Sequence, residues 1–571
     1  MNLFEGIFTS LTSSALLQIA LIIVVASVLA YFLKLLKQPL IAAYIIVGIL
    51  LGPVYLGLLR DSELIRALSE IGIAFLLFIV GLEINIKRLK DIGKVSIMAG
   101  LIQVCLVFLI GFYIVKFLGF PLTTAIYIGL ALAFSSTLVV VKLLYDQKQI
   151  NTLNGAISLG VLLLQDIVVI IVLSLISKIG HSFLQIGLAL VNVAVLIGIS
   201  FLFAKFILPY IFRYAAESEE LLFLVGLATC FVYMFLAMIL KLSITIGAFL
   251  AGISIAPLPY HRELEGRIKP LRDFFIVMFF VFLGMELIWP IKPSYLQILL
   301  VLVLITLIVK PLILTILVML FGYEKRVSFL ASIDLAQISE FSLIIAAQGL
   351  ILGHISKDVF SLVVLLAIIT MVITTYIIKY HSKLYEKLSP LLELLSKLEF
   401  KKQRFAYYAR KKKKIVLFGC HRMGSIFLDK IKKYSKNFIV VDHNPHIIKM
   451  LMKEKIPCLY GDIHNKEVLD ALDLENVKLI ISTIPDDEGN AFMIEYAKAI
   501  NPKITIMVTS EHIGRALELY EYGADYVILP HLLGGEYVAN LITELIEGRR
   551  KISTLKKRHL NHLKKLRIFG L

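Results

Sequence analysis

Apolar segments of membrane-spanning length occupy this chain from about residue 15 to residue 380, and they constrain its fold more than any other feature. A helix needs about 20 apolar residues to cross a hydrocarbon core of about 30 Å. Thirteen segments approach that length in a chain of 571 residues that is 59% hydrophobic. They lie at roughly 15–34, 39–57, 66–84, 95–118, 122–144, 153–177, 185–212, 218–240, 242–257, 271–288, 295–321, 327–350 and 357–380. We therefore predict a polytopic α-helical membrane domain over residues 1–380.

The composition changes near residue 381, where a charged linker (381–413) leads to a soluble domain (414–545) and a basic tail (546–571). The tail could lie on the membrane surface or pack against a partner subunit. Loops after odd-numbered spans carry most of the short-loop Lys and Arg, so the positive-inside rule places the amino terminus outside and the soluble domain in the cytoplasm. The net charge of +17 fits segments held at an anionic leaflet, and we expect no nucleic-acid binding. The four cysteines form no metal or disulfide pattern.

A carboxylate lies inside the sixth span, in the sequence LLLQDIVV that contains Gln165 and Asp166. A charge near the middle of a membrane costs several kcal/mol and is rarely present without a function. A proton or a monovalent cation would neutralise this carboxylate. Asp166 is therefore the first candidate for an ion-binding residue.

Two further spans carry polar groups at mid-depth. Span 5 contains Ser135, Ser136 and Thr137, which either support helix packing or mark a broken helix whose hydroxyls and freed carbonyls coordinate a cation. Span 12 contains Asp334, Gln337 and Glu340 within seven residues, which predicts a hydrated cavity or a second helix break. The two spans are seven apart, as expected for two six-span repeats joined by one connecting helix.

Lys310 lies too deep in span 11 to reach either interface easily. Its partner could be Asp166 or the exposed dipole ends of the broken spans. One interpretation is a static structural ion pair. The other is a functional cation that offsets repulsion at the helix crossing, or pairs with Asp166 when no ion is bound.

The chain resembles the Kef-type monovalent cation:proton antiporters (the cation:proton antiporter-2 type) over nearly its whole length. The resemblance rests on an ordered series of motifs: QPLIAAYIIVGILLGP, FLLFIVGLEI, ALAFSST, LLLQDIVV, TIGAFLAGISIAP, HRELEGRIKPLRDFFIVMFFVFLGMEL and AQISEFSLII. It implies an NhaA-like fold with inverted repeats and two broken crossing helices, in which a core domain moves against a dimerisation domain. It also implies that Asp166 binds the proton or K⁺ in one-for-one exchange, and that Gln165 is typical of potassium-handling members.

The soluble domain begins with KIVLFGCHRMG, a short strand, a glycine turn and a helix start, followed by Asp442 at the end of a second strand. This order predicts a nucleotide-binding βαβ unit. The usual G-x-G-x-x-G pattern is altered because His421 replaces its middle glycine between Gly419 and Gly424. The added bulk opposes a pyrophosphate, so a mononucleotide such as AMP is easier to place than NAD(H) or ATP.

The soluble domain also resembles the RCK/KTN (TrkA-N) regulatory domains through the sequences VVDHNP, YGDIHN, ISTIPDDEGN and YGADYVILP. The resemblance implies that Arg422, with the adjacent Met423 and Gly424 turn, meets phosphate and that Asp442 meets ribose. It implies that Asp462 and Thr483 meet the base or a second ribose, and that the domain dimerises. The other interpretation is a folded domain that has lost its ligand.

Together these features predict a homodimeric, electroneutral K⁺/H⁺ antiporter of the K⁺ efflux type in a prokaryotic cytoplasmic membrane, gated by an adenine nucleotide. The alternatives are a sodium:proton antiporter, a ligand-gated K⁺ channel, and a sensor or redox enzyme on a membrane anchor. The sequence contains no TVGYG filter, and it contains no nucleophile–base pair that would indicate an enzyme. The segment HRELEGRIKPLRDF is predicted to be a cytoplasmic loop. Its charges either dock the regulatory domain or are simply solvated; they are Glu263, Glu265, Arg267 and Arg272.

Overall fold

The structure is a computed structural model that describes residues 14–59, 63–83, 94–147, 152–176, 183–288, 293–381, 413–464 and 466–547, with scattered positions between and after them. The chain divides into two compact units, and each is described by itself. Most of the chain up to residue 402 forms the membrane unit, and the chain from residue 403 onward belongs to the second unit. The predicted linker and basic tail lie largely outside the described residues.

The membrane unit is entirely helical in its described parts. Its helices are α1 (Ala15–Leu35), α2 (Leu40–Leu51), α3 (Glu63–Glu83), α4 (Lys94–Phe117), α5 (Leu122–Ala133), α6 (Thr137–Asp146), α7 (Leu153–Leu175), α8 (Phe183–Leu202), α9 (Leu208–Ala215), α10 (Glu219–Ile239), α11 (Ile244–Ile255), α12 (His261–Met285), α13 (Pro293–Leu304), α14 (Lys310–Leu320), α15 (Lys325–Ile333), α16 (Glu340–Ile351) and α17 (Lys357–Lys379). Every predicted span falls on one of these helices or on a consecutive pair. Among the described residues, nine helical stretches are long and apolar enough to cross a membrane, with α5 and α6 counted together as one stretch.

Two spans are broken, as the broken-helix interpretation predicted. Residues 134–136 separate α5 from α6, and residues 334–339 separate α15 from α16. A serine caps the second helix of each pair, because Ser136 Oγ accepts from Val139 N over 3.4 Å and Ser339 Oγ accepts from Phe341 N over 3.1 Å. Serine is a favoured N-cap residue because its hydroxyl satisfies an amide that the helix leaves unpaired. The polar residues of these spans therefore start new helices inside the membrane unit.

The helices pack in two groups. One group joins α3 to α11 and α12, with α2 against α12 and α10 against α11. The other joins α4 to α5 and α14, with α15 against α14 and α16 against α5 and α17. Both broken spans belong to the second group. A π-helical segment, Ile305–Val309, ends where α14 begins at Lys310.

The charged segment before span 10 is helical, which corrects the prediction of a loop. The helix α12 begins at His261, about ten residues earlier than expected, and continues through Pro270. Arg267 bonds Glu219 over 2.6 Å and Glu263, one turn away, over 3.6 Å, which supports the helix. Arg272 is buried and pairs with Asp273, so it is not an available docking charge.

The second unit is an α/β domain with a seven-stranded sheet. Its strands are β1 (Ala406–Tyr407), β2 (Ile415–Phe418), β3 (Phe438–Asp442), β4 (Cys458–Tyr460), β5 (Leu479–Ser482), β6 (Thr505–Thr509) and β7 (Tyr526–Ile528). Its α-helices from Arg422 onward include α18 (Arg422–Tyr434), α19 (Pro445–Lys453), α20 (Lys466–Asp470), α21 (Asp487–Ile500), α22 (Ile513–Glu521) and α23 (Pro530–Ile546). The strand order is β1-β4-β3-β2-β5-β6-β7, and all neighbours are parallel except β1 and β4. Strands β2 to β7 thus follow the doubly wound order of a Rossmann-like sheet.

Candidate ion site and nucleotide site

Asp166 lies on α7 at the amino-terminal end of α6, with its side chain 6% exposed. Thr137 Oγ1, from the first residue of α6, lies 3.1 and 3.0 Å from the two carboxylate oxygens and donates to them. No Lys, Arg or His pairs with Asp166 among the described residues. A helix amino terminus carries a partial positive charge, which stabilises a nearby carboxylate. Asp166 is therefore a buried acid held by a hydroxyl and a helix end.

Lys310 contacts the other side of the first break and also the second break. Its Nζ donates to the carbonyl of Phe134 over 2.7 Å and to the carbonyl of Gln337 over 2.8 Å, and its side chain is 1% exposed. These carbonyls follow the carboxyl-terminal ends of α5 and α15, where helix dipoles place partial negative charge. Of the two partners that the sequence left open, the structure gives Lys310 the dipole ends and not Asp166.

Gln165 connects the first break to α4. Its Oε1 accepts from the Ser135 amide over 2.8 Å, and its Nε2 donates to Gln103 Oε1 over 2.7 Å. Gln103 Nε2 in turn donates to the Ala133 carbonyl over 3.2 Å. The two amides therefore replace main-chain bonds that the broken helix cannot make. Sequence reasoning missed Gln103, and the signal for it was a lone amide inside the apolar span 4.

Other free carbonyls of the two breaks also have protein donors. Ser135 Oγ donates to Leu335 O over 2.9 Å, Thr374 Oγ1 donates to Ala336 O over 2.8 Å, and Ser342 Oγ donates to Ala131 O over 2.8 Å. These bonds satisfy carbonyls that the helix breaks leave without a main-chain partner, which would be costly in a low dielectric. Coordination of a cation by the hydroxyls and carbonyls of the breaks stays a prediction.

The second break also holds buried polar atoms without a protein partner among the described residues. They are both amide atoms of Gln337, Oε2 of Glu340 and Oδ1 of Asp334. All three side chains are at most 2% exposed. Carboxylate, hydroxyl and amide oxygens are hard donors that suit an alkali cation or water. The breaks thus bring together all eight predicted ion-site residues, with Asp166, Thr137, Gln337 and Glu340 offering side-chain oxygens and Ser135, Ser136, Gln165 and Lys310 holding the backbone.

The glycine turn of the second unit lies between β2 and α18, next to the end of β5. Gly419 has φ +82°, a conformation that a side chain rarely adopts. A Cβ on Gly424 would lie 2.1 Å from the Gly419 carbonyl, so the helix approaches the turn too closely for any other residue. His421 precedes the first residue of α18 and is exposed. The backbone of Arg422 and Met423 begins α18, while the Arg422 side chain lies outside the described part of the chain.

The acidic residue at the end of β3 supports this turn. Asp442 Oδ2 accepts from Cys420 N over 2.7 Å, and Oδ1 accepts from Asn444 N over 2.8 Å. Asp442 is 4% exposed, and each of its carboxylate oxygens accepts a hydrogen bond from a backbone amide. Burial, together with the nearby negative charge of Asp442, raises the pKa of the Cys420 thiol to about 12. Cys420 is therefore a neutral packing residue at ordinary pH.

The other predicted nucleotide residues lie at the same edge of the sheet. Thr483 Oγ1 donates to the carbonyls of Phe418 and Gly419 over 3.2 and 3.1 Å, and joins β5 to the turn. Asp462 follows β4, is about half exposed, and accepts from His464 N over 3.0 Å. The sheet changes winding direction between β2 and β5, and doubly wound sheets bind nucleotides at such a point.

Comparison with known proteins gives two matching family models. The model described as the transmembrane sodium/hydrogen exchanger matches residues 21–381, and the model of the TrkA-N domain matches residues 415–530.

Three relatives illustrate the range of similar proteins. The putative cation/proton antiporter YbaL of Escherichia coli is 29% identical over 550 residues, which cover 91% of this chain and 96% of YbaL. The K(+) efflux antiporter 4 of Arabidopsis thaliana is 28% identical over 337 residues, which cover 57% of each chain. The glutathione-regulated potassium-efflux system protein KefC of Cronobacter sakazakii is 26% identical over 502 residues, which cover 85% of this chain and 77% of KefC.

These matches confirm the predicted resemblance to Kef-type antiporters and to TrkA-N domains. The relatives are named as transporters, which fits the expectation that the chain is not an enzyme. The chain therefore belongs to the sodium/hydrogen exchanger family, with a TrkA-N domain after its transmembrane part.

Proposed function

We propose that this chain is an electroneutral K⁺/H⁺ antiporter of the K⁺ efflux type, in the cytoplasmic membrane, with its TrkA-N domain in the cytoplasm. The observation that carries the proposal is Asp166, a buried carboxylate bonded by Thr137 and without an ion pair among the described residues. A proton or one monovalent cation neutralises this group, and both compete for it. One carboxylate then exchanges one cation for one proton.

Exchange requires that the loaded site change its access from one side of the membrane to the other. The group of helices with both broken spans is the part that would move, because Asp166 bonds Thr137 of the first broken span and Lys310 bonds carbonyls of both breaks. The ammonium of Lys310 remains on the two carbonyls while Asp166 is loaded or unloaded. These helices carry the site from one side of the membrane to the other only when Asp166 is neutralised, because moving an ionised carboxylate through the membrane costs more.

The choice of K⁺ over Na⁺ rests on the relatives named for potassium efflux and on Gln165. The amide of Gln165 is used by Ser135 and Gln103, so it adds neither charge nor a free oxygen to the site. A weak field of this kind favours a cation that is easily dehydrated, which is K⁺. Sodium:proton exchange is the alternative, in keeping with the name of the matching family model.

The TrkA-N domain is proposed to bind an adenine nucleotide and to control transport. AMP is favoured over NAD(H) or ATP because His421 occupies the place of the glycine that admits a pyrophosphate. A nucleotide can shift the transport equilibrium only by binding the transporting and resting states with different affinities. The same proposal includes a homodimer embedded in membrane lipid.

The test is proton flux in proteoliposomes after K⁺ or Na⁺ is added, comparing wild type, Asp166→Asn and Glu220→Gln. Glu220 is an exposed acid in the first turn of α10, so its variant controls for the loss of one charge elsewhere. We expect K⁺-dependent flux in wild type and in Glu220→Gln, and none in a folded Asp166→Asn. Full exchange in Asp166→Asn would refute the assignment of Asp166.

The same preparation tests sodium:proton exchange, a channel and the identity of the nucleotide. Flux with Na⁺ and not K⁺ would keep Asp166 but overturn the use of Gln165. Single-channel currents in a bilayer would indicate a ligand-gated channel instead of a carrier. Addition of AMP, ADP, ATP or NAD(H) at fixed K⁺ then identifies the controlling nucleotide, and AMP is expected to change the rate most.

A further inference from the structure

Asp334 is a second buried carboxyl in the membrane unit, and the mechanism above does not use it. It directly follows α15, and its side chain is 0% exposed. Its Oδ2 lies 3.0 Å from Ser158 Oγ on α7, and its Oδ1 has no hydrogen-bond partner among the described residues. Burying a carboxyl with one partner and one unpaired oxygen is costly, and such a residue is rarely found in a membrane span without a function.

Ser158 gives Asp334 two alternative arrangements. Its hydroxyl oxygen lies 2.9 Å from the Asn154 carbonyl and 3.1 Å from the Ala331 carbonyl, as well as 3.0 Å from Asp334. A serine hydroxyl has one hydrogen and can also accept. When Asp334 is ionised, Ser158 donates to it. When Asp334 is protonated, Asp334 donates to Ser158, and Ser158 donates to one of the two carbonyls. Both protonation states are therefore hydrogen bonded without a change of backbone.

The position of Asp334 along the membrane is set by α7. Ser158 precedes Asp166 by eight residues, which is about 12 Å along a helix axis. The positive-inside rule places the start of α7 at the cytoplasmic side. Asp334 thus lies between Asp166 and the cytoplasm, about two helical turns from the ion site.

The charged groups around Asp334 do not neutralise it. Asp166 lies farther along α7, and Lys310 on the neighbouring α14 is directed to the carbonyls of Phe134 and Gln337. Glu340 begins α16 and His381 follows α17, where His381 contacts Gln149 and the Ile378 carbonyl. No ion pair to Asp334 is found in the part of the chain that the structure describes. Asp334 can therefore exchange a proton without breaking a salt bridge.

We propose that Asp334, with Ser158, is a second proton-binding site that passes protons between Asp166 and the cytoplasm. This inference rests on the proposed antiport. In the efflux direction, protonated Asp166 gives its proton through a chain of water molecules to ionised Asp334, which releases it to the cytoplasm. Asp166 is then ionised and takes K⁺. In the reverse direction Asp334 takes a proton from the cytoplasm and passes it to Asp166. Over a complete transport cycle the protein neither gains nor loses a proton.

The test compares wild type, Asp334→Asn, Ser158→Ala and Ser332→Ala in the proteoliposome assay, with K⁺ concentration and internal pH varied. Ser332 is a buried serine near Asp334, but its hydroxyl bonds the Ser328 carbonyl of its own helix, so Ser332→Ala is the matched control. Asparagine keeps the shape and the bond from Ser158 but cannot carry the proton. We expect the maximum rate of Asp334→Asn to fall by about tenfold or more, within the range for a lost proton-transfer group. We expect the K⁺ concentration for half-maximal rate to stay the same and the dependence on internal pH to flatten.

Ser158→Ala removes the hydroxyl that takes part in both hydrogen-bonded arrangements. It is expected to slow exchange in the same way, and it tests the proposal even if Asp334→Asn fails to fold. A folded Asp334→Asn with the wild-type maximum rate and pH profile would overturn the proposal, while an inactive Asp166→Asn in the same assay would leave the antiport standing. A raised half-saturating K⁺ concentration with an unchanged maximum rate would also overturn it, because Asp334 would then belong to the cation site.

Discussion

Gln165 and Gln103 form an amide pair across two helices, with Gln165 Nε2 donating to Gln103 Oε1 over 2.7 Å. The pair extends from the amide of Ser135 to the carbonyl of Ala133, and so supports both sides of the first helix break. Gln165 is thus fixed by the backbone next to Asp166 rather than being free to follow the transported ion. Gln165, which the family resemblance associates with potassium-handling members, therefore supports the geometry of the break.

Gln103→Leu should destabilise the membrane unit and slow transport, because it leaves Gln165 Nε2 and the Ala133 carbonyl without partners. We expect a loss of about 1–2 kcal/mol in the free energy of unfolding, which is the size of an interhelical hydrogen bond in model membrane peptides. Thermal unfolding in detergent and proton flux measure the two effects. Ser200→Ala is the control, because that hydroxyl bonds the Leu196 carbonyl within its own helix. Equal stability of Gln103→Leu and Ser200→Ala would contradict the role of the amide pair.

Lys310→Met should destabilise the protein by about 2–3 kcal/mol, because two carbonyls at helix ends lose a charged donor. A double-mutant cycle with Asp166→Asn then decides whether Lys310 interacts with Asp166. The structure predicts that the double variant is as unstable as Lys310→Met plus the small effect of Asp166→Asn alone. Recovery of stability in the double variant would instead show that the two charges form a pair.

The sequence predicted the broken spans and eight polar residues that the structure places at or beside the breaks, because ionisable and hydroxyl groups inside apolar spans are rare enough to stand out. That these eight residues bind the ion stays a prediction. The sequence could not predict which polar atoms satisfy the backbone and which remain for an ion, because that depends on contacts between distant spans. Lys310 shows the difference, since its charge predicted a buried partner but not the choice between Asp166 and two carbonyls. Gln103 and Ser158 were missed because a single amide or hydroxyl in an apolar helix usually has only a packing role. The prediction of a loop before span 10 was wrong because the segment continues as a helix, in which Arg267 pairs with Glu263 one turn away and with Glu219 of α10.

His421→Gly should raise the affinity for a dinucleotide relative to AMP. His421 lies at the turn where the family pattern has glycine, and removing its side chain lets the backbone approach a pyrophosphate. Calorimetric titration of the full-length protein in detergent with AMP and with NAD(H) provides the comparison. We expect the ratio of the two affinities to change by about tenfold, a difference of about 1.4 kcal/mol. An unchanged ratio would mean that His421 does not limit the ligand, and AMP serves as the control for general damage to the site.

Asp525→Asn should destabilise the TrkA-N domain at neutral pH but not in acid. Asp525 Oδ2 accepts from Ile506 N over 2.7 Å and from Lys498 Nζ over 2.9 Å. Burial acts to raise the pKa of Asp525, but these two donors outweigh it and hold the pKa below the ordinary value. A carboxyl with a lowered folded-state pKa stabilises the protein above its unfolded pKa of about 4, and this stabilisation is lost as the pH falls through the folded value.

The side chain of Asp525 is 44% exposed, so solvent screens the pair and we expect a loss of only about 1 kcal/mol in Asp525→Asn at pH 7. The unfolding transition of the cytoplasmic domain, followed in the full-length protein between pH 7 and pH 3, tests this. The difference between wild type and variant should shrink steadily below about pH 4. Asp429→Asn, at an exposed acid of α18, should show no such change. A difference that persists in acid would assign the effect to packing and not to the charge of Asp525.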